Sequence, residues 1–252
     1  MIVKLLNLLV FMFLLTACVS NQPGLGSKDT ESAAAYNLQL GIDYFRQGNL
    51  SQAKEKLDRS LMQNPKSAQA HAAAGLLYER LNEMDKADQH YSRAVDLDSG
   101  NGEVVNTYGV FLCRRGNYSK GEQLAVQAAS NQLYKTPEAA WFNAGMCAMD
   151  AGKTAVAEQH FRRALTANEK FSPALLQLSD LKFRSDEALQ ARAFLERFHL
   201  SAQATAESLW LGVRIEQALA NPAVASEYAR RLKSEFPNSA QTRALIQAES
   251  KQ

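Results

Sequence analysis

Histidines and cysteines are the side chains in this sequence whose chemistry could go beyond packing. The four histidines are His71, His90, His160 and His199. None stands in a His-Glu-x-x-His string, and none has a Cys or carboxylate partner at metal-ligand spacing on one helix face. His90 and His160 fall at matching places of two related strings, which suits a packed or solvated ring better than a catalytic one. There is no Gly-rich phosphate loop and no Gly-x-Ser-x-Gly elbow. The sequence therefore predicts no enzyme, no metal, no small-molecule substrate and no cofactor beyond a covalent lipid.

That lipid is expected on Cys18. Lys4 gives a short positive region, residues 5–15 form an apolar run, and Thr16-Ala17 are small residues before a cleavage point. The run is too short to span a bilayer, which takes roughly 20 apolar residues. Leu15-Thr16-Ala17-Cys18 resembles the bacterial lipobox. The resemblance implies a lipoprotein signal peptide over residues 1–17, cleavage before Cys18, and a diacylglyceryl group on its thiol, with palmitate among the lipids of the modified cysteine. The alternatives are a cysteine that happens to end an ordinary signal peptide, or a buried strand. Two or more acyl chains anchor a protein stably where one does not. Val19 and Ser20 follow the cysteine, and the same resemblance implies that a second residue other than Asp permits export to the bacterial outer membrane, with the body on its periplasmic face. Residues 18–33 are polar, rich in Ser, Gly and Asn, and lack helical periodicity. They read as a flexible tether spanning about 20 Å.

The remaining composition favours helix. Gly numbers 13 and Pro 6 in 252 residues, so turns are few and Ala, Leu, Gln, Glu, Lys and Arg prevail. With 28 Lys plus Arg against 26 Asp plus Glu, the net charge of +2 leaves no basic excess for nucleic acid.

Repetition organises this helical text. Residues 87–94 (ADQHYSRA) return as residues 157–164 (AEQHFRRA), and Gly41, Gly75, Gly109, Gly145, Ser179 and Gly212 follow one another at steps of 34, 34, 36, 34 and 33. A 34-residue helix-turn-helix period resembles the tetratricopeptide repeat. The resemblance implies an all-α, right-handed solenoid of about six repeats, at residues 34–67, 68–101, 102–137, 138–171, 172–204 and 205–238. Residues 239–252 are read as a capping helix and tail. The fifth and sixth repeats are degenerate, and the third places Gly121 where a larger small residue is usual. Gly48, Gly116 and Gly152 mark turns between paired helices. Cys113 and Cys147 take positions 12 and 10 of the first helices in adjacent repeats. Two ordinary buried thiols are the expected state. A disulfide, which needs Cα atoms within about 7 Å, is the alternative.

What remains is recognition. In the repeat family the first helices line a concave face through positions 2, 5, 9, 12 and 13. Here those places hold Leu38, Ile42 and Phe45, then Ala72 and Leu76, then Val110, then Phe142, Met146 and Met149. This is an apolar groove, with methionines able to adapt to an irregular partner. Leu38 and Ile42 replace the polar pair of a carboxylate clamp. The bland alternative for Leu38, Ile42 and Phe45 is cover by the N-terminal segment or packing between helices. An exposed groove of this kind suits an amphipathic helix or an extended apolar segment.

Lipobox, tether and six repeats together resemble the type IV pilus biogenesis lipoproteins of the PilF/PilW type. That family implies a pilotin, which binds secretin subunits and promotes their localisation and multimerisation in the outer membrane. Alternatives are a lipoprotein scaffold of another envelope assembly machine and, further off, a small-ligand carrier or an enzyme.

Overall fold

The computed structural model describes residues 25–250, with side chains from residue 29 onward. The expected signal peptide, Cys18 and the tether as far as residue 24 lie outside the described residues. Among the described residues there are thirteen α-helices and no strand. No described helix is long and apolar enough to cross a membrane.

The chain divides into two units, the first ending at Lys66. In the first, α1 (Leu25–Arg46) pairs with α2 (Leu50–Gln63). Helix α1 begins at Leu25, inside the segment read as tether, and this corrects that boundary. The reason is physical: residues 29–32 are exposed, so the first turns carry no apolar stripe for periodicity to detect. They extend a helix already held from Ala34 onward, where Ser60 Oγ donates to the Ala34 carbonyl at 2.8 Å and where propagation costs little.

The second unit runs from Ser67. It comprises the pairs α3 (Ala68–Arg80) and α4 (Met84–Leu97), α5 (Gly102–Arg114) and α6 (Tyr118–Ala129), α7 (Pro137–Asp150) and α8 (Thr154–Ala167), α9 (Ser172–Arg184) and α10 (Ala188–Ser201), and α11 (Ala206–Ala218) and α12 (Pro222–Glu235). A last helix, α13 (Ala240–Glu249), follows. Each pair packs on the next, and first helices also meet directly: α3 with α5, α5 with α7, α9 with α11. Ser239 caps α13 by accepting the Thr242 N–H, and Leu245 joins Leu209, Val213, Ala229 and Leu232 in one buried cluster, so α13 closes the end of this stack.

Close approach within pairs explains the small residues at the repeat's eighth position. A Cβ on Gly75 would lie 2.7 Å from the Tyr91 ring, so Gly75 lets that fully buried ring seat against α3. Ser179 does the same work with a side chain: its Oγ donates to the Ala191 carbonyl at 2.8 Å. The turns inside the six pairs each hold one left-handed residue, namely Gly48, Asn82, Gly116, Gly152, Asp186 and Ala220. Half of these are not glycine, and so half of the turns lacked the sequence signal.

Candidate partner-binding surface

In the first unit, Leu38, Ile42 and Phe45 recur at steps of 4 and 3 on α1. The packed edge of that helix is marked by Gly41, where an added Cβ would meet Leu57 at 2.7 Å. At about 100° per residue the three apolar side chains fall roughly 40–100° from that edge. All three are half-buried. They form the shoulder of the helix, partly packed and partly open to solvent.

In the second unit the corresponding places lie on α3, α5 and α7. Ala72, Val110, Phe142, Met146 and Met149 are half-buried, and Leu76 is 37% exposed. Helix α7 contributes most. Phe142, Met146 and Met149 pack against the core cluster around Phe161 and Leu178 while keeping part of their surface in solvent. The Phe142 ring lies 5.6 Å from Phe161 and 5.7 Å, edge-on, from Phe171, which fixes its orientation. Such a surface is rigid beneath and apolar above, so little ordering entropy is lost when a partner covers it.

Several features escaped the sequence reading. Leu176 and Phe183 extend the half-buried apolar places onto α9, with the Arg214 guanidinium over the Phe183 ring at 4.6 Å. Beyond α9 the row ends: Leu209 and Val213 are 0% and 1% exposed, sealed in the cluster that includes Leu245 of α13. Asn143 Nδ2 donates to Asn106 Oδ1 at 3.1 Å, and Asn106 Nδ2 in turn donates to the Tyr134 hydroxyl at 3.4 Å, placing a polar chain beside the apolar places of α5 and α7. The repeat pattern alone carries no signal for that pair.

Cys113 and Cys147 form a disulfide across α5 and α7, with Cα atoms 5.5 Å apart, which corrects the reading of two free thiols. The 36-residue step between Gly109 and Gly145 offsets the two cysteines within their repeats, and the direct meeting of α5 and α7 brings them within reach. The bridge fastens α5, which carries Val110, to the helix that carries Phe142 and the methionines.

Charged groups serve the framework. Lys182 is 7% exposed and its Nζ lies 2.9 Å from both Glu158 and Glu187; the hydrogen bond to Glu158, foremost, raises its pKa. Glu216 is 4% exposed and is held by Arg192 through two hydrogen bonds, joining α10 to α11. His160 Nε2 lies 3.1 Å from Glu122 and its ring stacks on Trp141. Burial raises the Glu122 pKa, but the bonds to His160 and Lys153 outweigh it and leave the carboxyl lowered. A cavity of about 610 Å³ opens elsewhere, at the loops of residues 98–103 and 131–136. Asn101 and Asn131 in its wall already cap α5 and hold the Gly100 carbonyl.

Comparison with known proteins follows this geometry. The tetratricopeptide repeat model matches residues 38–102 and 112–172. The type IV pilus assembly protein PilF of Pseudomonas aeruginosa is 31% identical over 89% of this chain and 90% of its own length. Among solved structures, one from the functional characterisation of Pseudomonas aeruginosa pilF aligns with TM-score 0.77 and 31% identity, covering 88% of this chain and 99% of that one. That of PilW, described as a widely conserved type IV pilus biogenesis factor, aligns with TM-score 0.74 and 28% identity, covering 84% and 98%.

Proposed function

Since the chain belongs to the tetratricopeptide-repeat family of type IV pilus biogenesis proteins of the PilF/PilW type, we propose that it is a pilotin. In this reading it is a lipoprotein anchored through Cys18 to the periplasmic face of the bacterial outer membrane. It captures secretin subunits on the apolar faces of its first helices and promotes their multimerisation there. Binding rather than catalysis is the activity.

One observation carries the reading: the half-buried apolar side chains Phe142, Met146 and Met149 on α7, backed by a packed core and left open to a partner. Each of Leu38, Ile42 and Phe45 on α1, and of Phe142 and Met146 on α7, is already half-buried, so covering its remaining surface contributes roughly 0.7–1.5 kcal/mol, and association and ordering consume several kcal/mol of the sum on either helix. The anchor supplies the rest of the mechanism. Confining the cradle to the membrane raises the effective concentration of a captured subunit where the channel must form.

The test is a blot of unheated membrane fractions for secretin oligomers in wild-type, deletion and Cys18→Ala strains. The pilotin reading predicts loss of multimers on deletion, and misplaced multimers with retained secretin binding for Cys18→Ala. Normal multimers in the deletion strain would contradict it and turn attention to another envelope machine.

A further inference from the structure

We infer that Arg214 is the charged end of the second unit's apolar row, and that the secretin segment captured there carries an aspartate or glutamate side chain beside its apolar residues. This rests on the pilotin reading and adds to it the chemistry of the partner. The row continues across three first helices. Phe142, Met146 and Met149 of α7 pack on the cluster that includes Leu178 and Leu181 of α9. Leu176 and Phe183 of α9 pack on the next cluster, which includes Leu211 and Ile215 of α11. There the Arg214 guanidinium lies over the Phe183 ring at 4.6 Å.

Arg214 is half-buried. Among the described residues it is the only lysine or arginine buried to that degree that has no carboxylate partner. Lys54, Lys56, Lys182, Arg192 and Arg231, the others, each sit in an ion pair. The Asp180 carboxylate on α9 is taken by Arg184 at 2.7 Å. A charge drawn out of water is costly unless it is paired, and the π face of Phe183 compensates only part of that cost. Stacking also fixes the plane of the guanidinium, so its N–H fork is pre-organised for bidentate contact with a carboxylate. The places on α11 that would clamp a chain terminus hold Leu209 and Val213, both sealed in the core. The ligand is therefore a side-chain carboxylate. Neighbouring helices about 8–10 Å apart put Arg214 about 16–20 Å along the row from α7, a span of five or six residues of extended chain.

The test probes the full chain in detergent with overlapping peptides of the cognate secretin, each about twice that span and acetylated and amidated so that no terminal carboxylate is present. Wild type, Arg214→Gln and Arg214→Lys are compared, each checked for folding by circular dichroism. Captured peptides should carry Asp or Glu beside an apolar run. Replacing that acid by its amide should weaken binding to wild type about tenfold or more and leave binding to Arg214→Gln unchanged. Arg214→Lys should bind with intermediate affinity, since an ammonium keeps the charge without the fork. A merely structural role of Arg214 would lower capture of acid and amide peptides alike. Should Arg214→Gln fail to fold, the acid and amide peptides on wild-type protein still decide. Equal wild-type affinity for both forms, or capture only of peptides with a free C-terminus, would overturn the inference. Intact secretin subunits bound equally by wild type and folded Arg214→Gln would overturn it alone, whereas no binding of intact secretin by wild type would overturn the pilotin reading itself.

Discussion

Gly121 of α6 faces Cys113 of α5 so closely that a Cβ on Gly121 would collide with the Cys113 sulfur and would lie 2.7 Å from the Gly109 carbonyl oxygen. The odd glycine of the third repeat is thus the space in which the disulfide sits. Gly121→Ala should cost about 1–3 kcal/mol through overpacking. Chemical denaturation together with thiol titration checks this: lowered stability, with or without a fraction of unpaired thiol, is expected. A fully oxidised variant of wild-type stability would contradict the packing.

Reduction should act on the same place from the other side. The bridge closes a loop of 34 residues between α5 and α7, and bridges of this kind stabilise by about 2–4 kcal/mol. Cys147→Ser, or wild-type protein kept in a reductant, is expected to unfold at correspondingly lower denaturant concentration. Both treatments should lower the midpoint, Cys147→Ser at least as far as reduction, since it also places a hydroxyl where Cys147 is 1% exposed.

Legibility in the sequence followed physical cause. The 34-residue period, the paired helices and the capping role of α13 were readable because core-facing residues repeat with the period. Repeat five was blurred because Ser179 reaches close packing through a hydrogen bond instead of by absence of a side chain. The start of α1 was missed because exposed residues 29–32 leave no periodic trace. The disulfide was undecidable because spacing along the chain does not reveal which faces of α5 and α7 meet. The apolar places on α1 in the first unit, and those on α3, α5 and α7 in the second, could be listed from repeat position alone. The end of the second unit's row at Leu209 and Val213 could not, since it depends on α13 folding back against α11.

Acid should destabilise the fold through three groups. Burial, aided by Arg231, lowers the His199 pKa below its ordinary value, and its Nε2 is buried without a hydrogen-bond partner among the described residues. The unfolded chain then binds more protons, so stability falls as pH drops below about 6.5 toward the folded value. Burial raises the pKa of Glu122 and Glu158, yet their cationic partners outweigh it and leave both lowered. Their contribution is present above the ordinary carboxylate range and lost on further acidification. Thermal melts from pH 7 to pH 5 should show a falling Tm, with a shallower fall in His199→Gln. Parallel curves would refute the role of His199.

Ala220 holds a left-handed turn with φ of 52°, where three other pairs use glycine. That conformation costs a residue with a Cβ roughly 1–2 kcal/mol, and the extra freedom of glycine when unfolded offsets part of the relief. Ala220→Gly should therefore raise stability by about 0.5–1 kcal/mol, read from the denaturation midpoint. A lower midpoint would show that the turn relaxes in solution.

Direct binding of detergent-solubilised secretin subunits to the purified protein tests the central claim most sharply, with wild type compared against Leu38→Asp, Ile42→Asp and Phe142→Asp. Placing a charge on either apolar face should weaken capture about 10- to 100-fold per site, from the lost burial together with the cost of desolvating the new carboxylate, with the helical circular dichroism signal unchanged. Undiminished capture by all three folded variants would mean that the partner is held elsewhere on the molecule.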